Sequence, residues 1–384
     1  MSSNYKQCTR CVLDTTVKDI KFDADGVCHY CHEYDNLASK TVLRPKSVID
    51  AELKATIEKL KNKGKRNKYD CIIGLSGGVD STYLCLLAKR LDLRPLVVHF
   101  DNGWNSELAV KNIESVITKL GFDLFTYVIN WNEFKDLQMA YLKASVVDIE
   151  VPTDSLISAT LFKIARKKGI KYILSGTNIV TEGIVPNGWN YQDKTDLTNL
   201  TNIHNKYGKV KLRDFPKFGL FQRYIYLNFF RIESVPILNL IGYNKTKVKE
   251  EITQELNWRD YGGKHYESIF TRFYQGYILV QKFNIDKRRM HLATLICSGQ
   301  TSRQEALHEL SKPGYDLQML SSDKDFVLKK FDISAAEFDA IMKTPPVEHA
   351  VFGTQWDPQY FKKYFYFTLL MKPILWLYNK LIPR

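Results

Sequence analysis

Residues 71–87 read CIIGLSGGVDSTYLCLL: an apolar run, a loop in which two glycines follow a serine, then Asp80-Ser81 and a second apolar run. The order predicts a buried strand, a tight turn and a helix. In an open parallel sheet, ligands gather beyond the carboxyl ends of the strands. Gly77 and Gly78 let backbone N–H groups approach an anion without a Cβ in the way. The helix that follows offers free N–H groups and a positive dipole end to the same anion. Ser76 and Ser81 add hydroxyl donors, and Asp80 can hold a cation or cap the turn. The loop is too short for a Walker sequence and lacks its Gly-Lys-Ser/Thr ending.

The flanking sequence supplies the rest of such a sheet. Strands are expected at 69–75, 95–100, 124–129 and 171–174. Helical pattern falls between them at 80–91, 106–120, from 130 to about 143, and 153–168. Short β-branched strands alternating with helices imply an α/β fold, an open parallel sheet with helices on both faces. Residues 47–68 read as an amphipathic helix with a basic end. After Gly183 the pattern becomes irregular, and helical pattern returns from about Phe215 through a mostly helical C-terminal region. The expected units are 1–40, 41–210, 211–345 and an apolar, aromatic tail at 346–384.

Cys8-x-x-Cys11, sixteen residues, then Cys28-x-x-Cys31 has the spacing of a zinc ribbon. Two such knuckles complete a closed tetrahedron, so the expected Zn²⁺ is structural. His29 and His32 are expected to be solvated neighbours, Cys71 and Cys85 core residues, and Cys297 structural. The start, MSSNYKQCTRC, has no apolar leader, and no run of about 18 apolar residues occurs, so a cytoplasmic protein is expected. The stretch 364–384, broken by Lys372 and Pro373, is read as a core-docked helix, with an interfacial anchor at the inner membrane as the alternative. Lys and Arg exceed Asp and Glu by 13, which suggests an anionic partner without choosing one.

The string SGGVDS resembles the signature of the PP-loop ATP pyrophosphatases, adenine nucleotide alpha hydrolase-like proteins that cleave ATP between its α and β phosphates. Taken with CTRC, FDADGVCHYC and YGGKHYESIFTRFYQ, residues from about 8 to 310 resemble the N-acetyl sugar amidotransferases of bacterial surface-polysaccharide synthesis. The resemblance implies ATP and Mg²⁺ at Ser76, Gly77, Gly78, Asp80 and Ser81. Asp101 and Asn102 would read the adenosine, and Gly176, Thr177, Asn178 and Glu182 would form a second nucleotide- and magnesium-facing loop. It implies that an acetamido group of a nucleotide-linked sugar becomes an acetamidino group, as in LPS O-antigen or capsule synthesis. Lys264 would neutralise phosphate and His265 shuttle a proton. Glu267, Arg272, Arg288 and Asp154 are candidate substrate-binding residues, while Arg288 and Arg289 read equally well as a solvated basic face. No glutaminase nucleophile motif is found, so ammonia is expected from separate glutaminase and cyclase-like subunits. The rival reading is a tRNA-modifying PP-loop enzyme of the thiolase or lysidine synthase type. A thiolase, however, needs a reactive cysteine near the loop, and no RNA-binding module is found, so no nucleic acid is expected.

Overall fold

The structure is a computed structural model and describes residues 5–381. Residues 1–4 at the amino terminus and 382–384 of the expected tail lie outside the described residues. Five parallel strands form one sheet: β1 Cys71–Gly74, β2 Pro95–Asp101, β3 Asp123–Val128, β4 Tyr172–Leu174 and β5 Glu233–Val235. Their order is β3-β2-β1-β4-β5, so β1, which feeds the glycine loop, lies at the centre. Alternation along the strands sends side chains to two cores. Cys71, Ile73 and Val97 pack under helices Lys46–Gly64, Val79–Arg90, Glu107–Leu120 and Lys245–Leu256. Ile72, Leu96 and Val98 meet Ile164 and Ala165 of helix Val151–Lys168 on the other face. A sheet covered on both faces is the expected fold class.

Two elements depart from the sequence expectation. β5 pairs in register with β4, Tyr172 opposite Glu233 and Leu174 opposite Val235. The sheet thus runs past the expected boundary at 210. Three edge residues are too few to show a period of two, and the aromatics before them read as helix. Helix Leu197–Tyr207, capped by Asp196 accepting from the Asn199 N–H, lies in the segment read as irregular.

The four ribbon cysteines are fully buried and share one core with the helical C-terminal region. Arg303 donates to the carbonyl oxygens of Cys8 and Cys11, each at 3.1 Å, and to Gln7 Oε1 at 3.0 Å. Arg289 donates to Val12 O at 2.9 Å and pairs with the buried Asp14 at 2.7 Å. This corrects the reading of Arg289 as a solvated or substrate-binding residue. Arg303→Met leaves these carbonyls without their donor and is expected to cost about 2–3 kcal/mol. Differential scanning calorimetry should show a melting point lowered by a few degrees with zinc content unchanged.

Candidate active site

The loop after β1 is built by its neighbours. Gly77 adopts φ +84°, and a Cβ there would lie 2.9 Å from Tyr261 Oη and 3.2 Å from Ala109 O. Only glycine fits on both counts. The Gly77 carbonyl accepts from Trp258 Nε1 at 2.8 Å and Tyr261 Oη at 2.9 Å. Ser76 Oγ accepts from the Gly78 N–H at 3.2 Å, and Ser81 Oγ donates to Gly78 O at 3.2 Å. Gly176 stacks against the Asp80 backbone, the nearest atoms 3.6 Å from where its Cβ would be.

Ser76, Gly78, Asp80, Ser81 and Gly176 line a cavity of about 380 Å³ with Thr177, Glu182, Lys245, Lys264, His265 and Glu267. Asp80 accepts from Tyr243 Oη and from Asn178 Nδ2. Burial and the nearby Glu182 carboxylate push its carboxyl up. Burial acts on Glu182 in the same sense, but Lys264, 2.8 Å away, outweighs it and holds that carboxyl below its ordinary range. Lys264 Nζ also lies 3.2 Å from His291 Nδ1. An ammonium can only donate, so Nδ1 accepts and the proton of a neutral His291 sits on Nε2. Burial and Lys264 depress the His291 pKa well below the usual value, which keeps the ring neutral. Its Nε2 is buried and has no partner among the described residues. His265 has φ +63° and approaches Glu267 to 3.8 Å.

A second cavity, about 470 Å³, meets the first at Ser76, Glu182, His265 and Glu267. One end is formed by Leu75, His99, Phe100, Asn102 and Asn105 at the tips of β1 and β2. The other end carries Asp148, Glu150, Asp154, Asn190, Lys194, Lys287 and His291. Lys194 bridges the Asp148 and Asp154 carboxylates. Burial and the carboxylates of Asp148 and Glu150 raise the Asp154 pKa against the pull of Lys194. Asp148 Oδ1 and Asn190 Oδ1 are buried acceptors without a donor among the described residues. Lys287 is 8% exposed and lies over the face of Tyr274 at 6.0 Å. Against the effect of burial, and with Lys194, its charge helps to hold the Asp148 carboxyl below its ordinary range. Buried polar groups are normally satisfied, so this end is shaped for a polar ligand.

The expected residues Ser76, Gly78, Asp80, Ser81, Gly176, Thr177, Glu182, Lys264, His265 and Glu267 therefore face one cavity, with Gly77 forming the turn beneath it. Asn102 and Asp154 line the second. Asp101 lies outside both and accepts from the Gly103 N–H at 3.0 Å, the geometry of a capped turn. Arg272 and Arg288 line neither of these cavities but a neighbouring one of about 520 Å³, which shares Lys245, Lys264, Lys287 and His291 with them. Arg272 is held by Asp323 in a two-point pair at 2.5 and 2.6 Å, and Arg288 by Asp286 at 2.7 Å and Lys312 O at 2.9 Å. Both guanidinium groups stand at the wall of that cavity as ion pairs. Sequence reasoning missed Tyr243, Lys245, Asp148, Asn190, Lys194, Lys287 and His291, which stand in irregular stretches or on helices and carry no motif. The Asn244-Lys245 start of a helix was the one local signal.

The thiols of Cys8, Cys11, Cys28 and Cys31 lie within 4.8 Å of one another. Cys8 Sγ accepts from the N–H groups of Cys11 and Cys28 at 3.3 and 3.2 Å, bonds that suit a thiolate. The donor set fits a closed zinc site. His29 and His32 stand outside it, bonded to Lys21 N and Asp23. Cys297 Sγ lies 3.6 Å from Cys31 Sγ, just outside the group.

Lys245 has no anionic side chain within ion-pair distance among the described residues. Burial and the neighbouring Lys264 lower its pKa from 10.5 to about 8. Its charge is present below that pH and lost above it. ATP affinity, followed by calorimetry from pH 7 to 9, should therefore fall as pH rises through about 8. Lys245→Met should bind about tenfold more weakly at pH 7 and lose that part of the pH dependence.

Comparison with known proteins gives two family matches. Residues 66–177 match the family model described as asparagine synthase, and residues 267–364 match that of the LPS biosynthesis protein WbpG-like, C-terminal domain. No curated protein matches the chain. Among solved structures, the chain is similar to an NH3-dependent NAD synthetase from Campylobacter jejuni determined with nitrate ion. That match has 13% identity and a TM-score of 0.32, and covers 70% of this chain and 98% of that one. The chain thus joins a PP-loop-type α/β fold, with an asparagine synthase match over its glycine loop, to a C-terminal segment that matches WbpG-like LPS biosynthesis proteins.

Proposed function

We propose that the protein converts an N-acetyl group of a nucleotide-linked sugar to an acetamidino group, at the expense of ATP. The observation that carries this reading is the meeting of two unlike cavities at Glu182 and His265. One is a glycine-lined anion cradle, and the other ends in buried acceptors with no donor. The β and γ phosphates of ATP fit the first, against the loop N–H groups, Lys245 and Lys264. The adenosine fits the β1–β2 end of the second. The sugar then occupies its polar end, where Asp148 Oδ1 and Asn190 Oδ1 accept from hydroxyl or amide N–H groups.

An amide is a poor electrophile with a poor leaving oxygen, and adenylylation corrects both defects. The amide oxygen forms a bond to the α phosphorus as the bond to pyrophosphate breaks. Ammonia then bonds to the activated carbon, AMP departs with the former amide oxygen, and the nitrogen gives up its surplus protons. Lys245 and Lys264 are placed to balance the charge on departing pyrophosphate. The Nε2–H of neutral His291 suits an oxygen of the acceptor or of the α phosphate. His265, touching both cavities, suits proton transfer from the attacking nitrogen. Asp80 and Glu182 repel each other across the phosphate cavity, and a Mg²⁺ held by both would relieve that repulsion and stabilise charge on the phosphates. Ammonia from separate glutaminase and cyclase-like subunits completes the reading.

A tRNA thiolase would need an activated thiol beside the loop. Burial pushes the Cys85 thiol up to about 12, and Cys71 is raised by burial as well. Purified protein with ATP, Mg²⁺ and ammonium should form AMP and pyrophosphate when UDP-linked N-acetyl sugars are supplied. Mass spectrometry should find a sugar in which NH replaces O. Asp80→Ala should reduce pyrophosphate release by about 100-fold or more with the fold retained. AMP formed only with tRNA would favour the rival, and no AMP with either acceptor would sink the proposal.

A further inference from the structure

The helix Pro358–Leu381 packs on helix Leu220–Asn228. Tyr364 and Phe367 meet Phe221 and Tyr224 of helix Leu220–Asn228 edge-on, with ring centroids 4.9–6.3 Å apart. The outer side is apolar as well. Leu370 is 72% exposed, Trp376 60% and Tyr366 54%, with Leu369 and Leu377 beside them. The apolar surface continues onto the supporting helix through exposed Phe221 and Leu227. A helix facing water would carry charge there. The match to the C-terminal family model ends at residue 364, so most of this surface lies beyond it.

The charges name the occupant. Between Pro358 and Leu381 every charged residue is a lysine: Lys362, Lys363, Lys372 and Lys380. Lys362 stands over the Tyr366 ring at 5.9 Å and Lys380 over Trp376 at 4.4 Å. Each end of the face thus pairs a cation with an amphipathic ring, the combination that suits a lipid headgroup layer. No described helix is long and apolar enough to cross a membrane. A second copy is a poor occupant, because the two faces would bring eight lysines together without one carboxylate. The chain's net charge of +13 acts in the same sense.

We propose that this helix lies in the plane of an anionic lipid surface, with Leu370 and Trp376 inserted among the acyl chains and the lysines at the headgroups. The test is co-sedimentation of the full chain with vesicles of phosphatidylethanolamine and phosphatidylglycerol, and with vesicles of phosphatidylcholine alone. The expected result is binding to the anionic vesicles that weakens as salt is added. Leu370→Ser/Trp376→Ser should lower partitioning by about tenfold or more, and Lys362→Gln/Lys380→Gln should flatten the salt dependence. All of these side chains are exposed, so thermal unfolding and ATP binding should match the parent chain. A parent chain that stays in the supernatant with both vesicle types overturns the proposal. Self-association abolished by Leu370→Ser/Trp376→Ser, without vesicle binding, would overturn it too and assign the face to a second copy.

Discussion

The carbonyl oxygen of Gly77 accepts two hydrogen bonds from residues some 180 positions away, Trp258 Nε1 and Tyr261 Oη. Much of the site depends on this clamp. It fixes the turn of the loop beneath the cavity, and it seats the segment 258–268 over the sheet. The Ser106 N–H donates to Glu267 O at 2.9 Å and the Ile269 N–H to Trp104 O at 2.8 Å, which tie the same segment to the loop after β2. Lys264, His265 and Glu267 reach the glycine-lined cavity because the backbone carrying them is held at both ends. A glycine loop presents donors to any small anion. The segment closed over it supplies the charged groups that make it an enzyme's site.

Charge explains how the site divides. Around the phosphate cavity, Asp80, Glu182 and Glu267 stand with Lys245 and Lys264, and burial makes every unpaired member costly. Glu182 and Lys264 satisfy each other at 2.8 Å. Lys245 is left to shed its proton more easily than a surface lysine, a state that a polyphosphate would relieve. At the far end of the second cavity Lys194 is consumed by Asp148 and Asp154, while Asp148 Oδ1 and Asn190 Oδ1 still lack donors. One end therefore asks for an anion and the other for hydroxyl or amide N–H groups. A substrate pair of ATP and a sugar amide has that polarity.

The central strands, the loop and the four cysteines were legible because each is a local pattern. β1 and its loop are contiguous, the ribbon spacing repeats, and alternation in β2 points Val97 to one core and Val98 to the other. The remainder of the site is long-range. Tyr243 reaches Asp80 across 163 residues, and Lys264 reaches Glu182 across 82. Nothing in GYNK or YQDK announces a partner so far away. The reverse error has the same cause. Arg272 and Arg288 looked like free cations, but Asp323 and Asp286 pair with them, so that they line a neighbouring cavity as ion pairs. A basic residue in an α/β enzyme cannot be given to a ligand until its own acids are known.

The ribbon has a place in this logic although its thiols face no cavity. Helix Lys287–Cys297 has two sides. One presents Lys287, Met290 and His291 to the second cavity. The other sends Arg289 to Val12 O and Asp14 and sets Cys297 Sγ beside Cys31. The Ile184 N–H donates to Thr294 Oγ1 of the same helix at 3.1 Å, two residues past Glu182. The orientation of His291, and through Lys264 that of Glu182, is thus referred to the ribbon. A small module without a large core of its own is a rigid brace only when its knuckles are closed by metal. The thiol cluster is therefore joined to the second cavity through one helix rather than by lining it.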